Sequence, residues 1–158
     1  MAVRFDIQPY TGALPITFGM AREQVHRLLG PPESSHPVWD GSGVSEHYNA
    51  ARYNVGYSNA GVVNHLGFSP GGAELAIQGR PIWTAESQPD PNPLLLTLDP
   101  APLELVGFWF FLAIGVTTTG YHDDDPSQRA VTVFVRGGKS AALLADAQPA
   151  DTSRYRRG

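Results

Sequence analysis

Apolar and polar residues alternate from the third position of the chain. Val3, Phe5 and Ile7 fall on one side of a period of two, and Arg4, Asp6 and Gln8 on the other. That pattern predicts a half-buried strand ending before Pro9. Near Met20 the period becomes helical. Met20, Val25, Leu28 and Leu29 line one side, Arg22, Glu23, His26 and Arg27 the other, and Gly30-Pro31-Pro32 forbids continuation. A helix this short is unstable alone, so it must lie on a sheet. Residues 33–43 read as a loop, with Trp39 its one bulky apolar member. Alternation returns over 45–48, 52–57 and 62–68, with Ser58-Asn59-Ala60-Gly61 as a hairpin turn. Segments 73–77 and 81–83 add short edge strands around a turn at Gly79.

The proline-rich stretch 86–102 predicts a linker that hugs the surface. Beyond it, Leu105 to Val116 is apolar on both faces when read with a period of two, which predicts one central strand covered on both sides. Ala130 to Val135 alternates and should pair with it across a loop at 122–128. Ser140 is placed to cap a last helix over 141–147, and the tail beyond 149 should fray. The expected class is α+β: a mainly antiparallel sheet of meanders and hairpins with one or two short helices on one face. Residues 1–158 form one domain, divisible into half-units of about 1–84 and 103–148 joined by the linker 86–102.

Composition narrows the function classes. A net charge of −4 with a pI near 5.6 lacks the basic excess of a nucleic-acid binder. With no cysteine, disulfides, thiolate metal sites and cysteine nucleophiles are excluded. The opening residues carry charges where a signal peptide needs an apolar core, and the run 105–116 is too short to cross a bilayer. A cytoplasmic protein with no membrane role is expected.

The stretch Phe18-Gly19-Met20, Val25 and Leu29-Gly30-Pro31 or Pro32 resembles a "G-M-[ST]-x-x-[EQ]-V-x-x-x-L-G-x-P" segment. Such a segment opens the helix–sheet units of the BamE (SmpA/OmlA) family and of β-lactamase-inhibitor-like proteins. The resemblance covers about residues 14–70, and the hairpin of Arg52 to Phe68 falls where such a unit places its strands. Ala21 departs from it, standing where the family has Ser or Thr and removing a cap typically worth about 1 kcal/mol. Gln24 is left without the hydroxyl partner of a capping box. The resemblance implies a binding scaffold rather than an enzyme. BamE-like members need a lipobox cysteine that this chain lacks; inhibitor-like members present a sheet face to a protein target.

Candidate chemistry is sparse. His122, Asp123, Asp124 and Asp125 could hold a cation or meet a basic group, but the calcium-loop template fails with Gln128 and Phe134 at its Gly and Glu positions. Gly138-Lys139-Ser140 lacks the first glycine of a phosphate loop, Val133 standing there. His47 and His65 could neighbour each other across strands, and Glu33, Asp40, Glu46 and Glu74 offer carboxylates that nothing pairs. Arg154, Arg156 and Arg157 read as a solvated tail. Trp39, Tyr48, Tyr53 and Tyr57 are aromatic in the manner of binding faces, although aromatic residues are strong strand formers and a set like this more often forms a sheet's packing face under the helix. The expected function is a protein-binding module, an immunity-type inhibitor of a partner toxin. It contacts its partner through Trp39, Tyr48, Tyr53, Tyr57 and residues 122–125, with no catalytic residue, metal or cofactor. Two alternatives stand beside it: a small enzyme using His47, His65 or the acidic loop, and a structural subunit that self-associates through edge strands.

Overall fold

The computed structural model describes residues 3–138 and 144–155. Its strands and helices follow in chain order. They are β1 Arg4–Gln8, β2 Gly12–Leu14, β3 Ile16–Thr17, α1 Arg22–Leu29, β4 Ser34–Pro37, β5 Gly43–Tyr48, β6 Tyr53–Ser58 and β7 Val63–Phe68. The remainder are β8 Glu74–Ile77, β9 Arg80–Trp83, α2 Asn92–Leu98, β10 Leu103–Leu105, β11 Phe108–Phe111, β12 Val116–Thr119, β13 Ala130–Phe134 and β14 Gln148–Pro149. This is an α+β fold with mainly antiparallel sheets. A nine-stranded sheet runs β14-β10-β11-β12-β13-β7-β6-β5-β4, and a five-stranded one β3-β2-β1-β8-β9, in which β1 and β8 are parallel. The large sheet draws strands from both halves of the chain.

Register explains where the core sits. Glu46, Val55, Leu66, Val133, Val116 and Phe111 lie in one row across the large sheet, and Tyr48, Tyr53, Phe68, Val131, Thr118 and Trp109 in the next. Side chains two apart share a face, so both rows point to one side. That side is covered by the small sheet, where Phe5 meets Tyr53 and Phe68 at ring separations of 5.3 and 5.0 Å. It is also covered by α1 and by α2. All of these row members but Glu46 and Thr118 are apolar, and every one is buried.

Four expectations change. The linker 86–102 contains α2, whose Leu95 is fully buried. Asn92 in it, also fully buried, accepts a 2.8 Å bond from Thr118 Oγ1, and Asp99 receives the Ala101 and Ala113 amides. The segment is therefore core, not connector. The single strand 105–116 is three strands folded at Val106-Gly107 and again around Gly115, because positive φ at those positions reverses the chain. The pairing of Ala130 to Val135 follows from this: β13 lies between β12 and β7 rather than beside a long central strand. Leu28 is half exposed, while Val25 is buried and Met20 and Leu29 pack partly against the core. The loop 33–43 opens with an edge strand, β4. The helix expected over 141–147 falls largely on residues outside those described, as do Lys139, Ser140, Arg156 and Arg157.

The sheet edges carry prolines: Pro37 in β4, Pro81 in β9, Pro149 in β14, and Pro15 just before β3. Proline has no N–H to offer a neighbouring strand, which opposes the edge-to-edge association of the structural-subunit reading. No described helix is long and apolar enough to cross a membrane.

Candidate functional site

Three places gather the chemically interesting residues. The first is the end of the large sheet where β4 turns into β5. Val38 N donates to Gly43 O, Gly41 N to Val38 O, and Asn59 Nδ2 to Gly41 O, at 2.8, 2.9 and 3.0 Å. Ser42 N donates to Asp40 Oδ1 at 2.9 Å, and hydrogen bonding to Ser42 holds the Asp40 carboxyl below its ordinary range. On this braced loop Trp39 is 95% exposed, whereas the other two tryptophans, Trp83 and Trp109, are buried. The indole borders a cleft of about 230 Å³ shared with Asn64, His65, Thr132 and Phe134. His65 Nδ1 lies 2.7 Å from Asn64 Oδ1. Its ring lies flat across Gly56, where a Cβ would sit 1.8 Å from the imidazole, so only glycine leaves room for it.

His47 does not join His65; β6 separates them. Its neighbour is His36, with ring centroids 5.4 Å apart, and burial followed by the His36 charge lowers its pKa. Of the aromatic set, Tyr48, Tyr53 and Tyr57 are 4%, 6% and 1% exposed, so they belong to the face that packs under α1 and the small sheet. Tyr48 and Tyr53 stack on one another at 5.3 Å. Only Trp39 of the four is presented to solvent.

The second place is beneath α1. Glu46, 3% exposed, ends the otherwise apolar row described above. Arg22 Nε and Nη2 both donate to its Oε2, at 3.1 and 2.9 Å, and His26 Nε2 lies 2.8 Å from Oε1. Arg22 and His26, one helical turn apart, face the sheet. Tyr57 Oη finds no hydrogen-bond partner here; burial, then the charge of Glu46, raises its pKa. Arg22 also lies 5.4 Å from the Tyr57 ring centre. These contacts seat a helix. The sequence signal for them was present but unreadable: an i, i+4 Arg and His on one side and a lone acid in a strand.

The third place is the opposite end of the sheet, where β10 turns into β11 and the acidic loop follows β12. The loop is not a cluster of free carboxylates. Asp124 accepts both bonds from Arg154 Nη2, at 3.2 Å each, and Arg154 also donates to the carbonyls of Tyr121 and His122. Asp125 accepts from Ser127 N and Oγ, starting the 3-10 turn Pro126–Gln128. His122 stacks on Trp109 at 4.9 Å, with Glu104 3.9 Å from its Nε2. Arg154, expected in a solvated tail, is instead a brace for this loop. No group of three or more His, Asp or Glu among the described residues is placed to hold a metal ion.

No family model, curated protein or solved structure matches the chain.

Proposed function

We propose that the chain is a protein-binding module that contacts its partner through the β4–β5 end of the large sheet. One observation carries the reading: Trp39 is 95% exposed on a loop held by its own hydrogen bonds. A large indole in water contributes nothing to the fold, and tryptophan is among the residues that concentrate binding energy at interfaces. A braced loop also loses little freedom on docking, which favours affinity. The cleft beside it adds Asn64, His65 and Thr132 as polar groups that fix orientation. The inhibitor form of this reading, an immunity protein that blocks a toxin, is supported by the likeness of residues 18–32 to the inhibitor-like units.

The test is capture of partners by the wild-type chain and by Trp39→Ala. Trp39 makes no described contact that the fold needs, so the substitution should leave the unfolding midpoint unchanged while the captured partner is lost. The same partner should shift tryptophan emission to shorter wavelength in the wild type and not in the variant, since Trp83 and Trp109 are already buried. A partner retained equally by both proteins overturns the reading. For the inhibitor form, co-expression of the captured partner should arrest growth, relieved by the wild type but not by Trp39→Ala.

A further inference from the structure

The far end of the sheet carries an anomaly that neither folding nor the Trp39 surface explains. Val106 is 88% exposed and has φ +48°, in the first position of the Val106-Gly107 turn joining β10 and β11. That position favours Asn, Asp or Gly, and a β-branched residue there is strained. An apolar, strained side chain in water costs both stability and solubility. Phe108, the residue after the turn, is 45% exposed. The pairing of Leu105 with Phe108 and Leu103 with Phe110 puts these four on the sheet face opposite the core; Phe110 is buried there, whereas Leu103 and Leu105 are only half buried.

A cleft of about 310 Å³ adjoins this apolar strip, lined by Val106, Phe108, Thr119, Asp123, Asp125 and Gln128. Its charged side chains are both carboxylates. Asp125 is engaged by Ser127, while Asp123 has no ion-pair partner among the described residues. The nearby cations are engaged elsewhere: Arg154 with Asp124 and two carbonyls, Arg129 over the Tyr121 ring. Carboxylates beside an apolar tip repel nucleic-acid phosphate and anionic lipid, and complement lysine or arginine.

We infer that the Val106–Phe108 tip and the adjoining carboxylate cleft form a second docking surface, which takes a segment of a protein partner bearing an apolar residue flanked by basic ones. The apolar side chain packs on Val106 and Phe108, and a basic side chain reaches Asp123. This surface lies at the other end of the strands from Trp39 and does not depend on it.

The test uses a blocked hexapeptide of Lys, Arg, Leu, Trp, Arg and Lys, with a control in which glutamate replaces the four basic residues. Binding to the full chain is followed by backbone-amide chemical shifts and by anisotropy of a labelled copy. The basic peptide should perturb residues 105–108 and 119–125, weaken with added salt, and leave the acidic control inert. Val106→Asn places a favoured residue in the turn, so it should raise the melting temperature by about 2–4 °C. It should nonetheless weaken peptide binding about tenfold, as should Asp123→Asn, whereas Trp39→Ala should leave it unchanged. Failure of the peptide to bind overturns the inference. So do shifts confined to other residues, or equal affinity for wild type and both variants. A concentration-dependent dimer abolished by Val106→Asn would assign the tip to a second copy of the chain and equally overturn it.

Discussion

Glu46 shows how one residue can be read correctly as an acid in a strand and still be misjudged. Its neighbours in sequence make it an ordinary exposed position. Its place at the end of the row Val55, Leu66, Val133 makes it buried, and burial of a carboxylate is tolerable only because Arg22 and His26 bind it. Glu46→Gln keeps the shape and removes the charge. Because Arg22 and His26 are 45% and 36% exposed, water compensates part of the loss. The expected destabilisation is about 1–2 kcal/mol, read as a lower urea midpoint at unchanged slope. An unchanged midpoint would mean that the clamp contributes nothing to seating the helix.

Among the elements, α1 was the most legible and also has the clearest defect. Ala21 already has the extended backbone of a capping residue, with φ −77° and ψ 155°, and Gln24 Oε1 accepts its N–H at 3.0 Å. One half of a capping box is therefore built, and the side-chain half is absent. Ala21→Ser should complete it and raise stability by about 1 kcal/mol, measured by urea unfolding. No gain would show that the Ala21–Val62 bridge holds the helix start in a geometry a hydroxyl cannot use. The strands β10, β11 and β12 were less legible for a plain reason. Val106 is a strong strand former, so the period of two runs unbroken through a turn decided by backbone conformation at Val106, Gly107 and Gly115. In α2, the prolines at 91 and 93 hide a helix because proline is tolerated in a first turn.

At the scale of the whole molecule, the aromatic residues are the common currency of the two sheets and the helices. Burial pushes the phenols of Tyr48, Tyr121 and Tyr155 up to about 12, from an ordinary value of 10, and raises that of Tyr57 as well. For Tyr155 the bond its hydroxyl donates to Asp90 at 2.6 Å adds to the effect. Between the two values the unfolded chain has lost protons that the folded chain keeps, so stability falls as pH rises. The contribution is complete below pH 10 and is lost as pH climbs from there towards about 12. Alkaline titration should therefore show tyrosinate absorbance appearing together with loss of tertiary signal, in one cooperative step. Ionisation of these tyrosines well before unfolding would show that they are reached by water and do not belong to the core.

The sequence by itself determined the α+β class, α1 with its stop at Gly30, the hairpin of β6 and β7, and the place of Trp39 on a loop, though not its exposure. These depend on residues a few positions apart, whose period and turn chemistry are set locally. Tertiary structure alone decided that Tyr48, Tyr53 and Tyr57 are core, that Glu46 is buried beneath two basic residues, and that Arg154 braces the acidic loop. A period of two says which side chains share a face of one strand. Which strands stand side by side, and what covers that face, follows only from pairings between residues far apart in the chain.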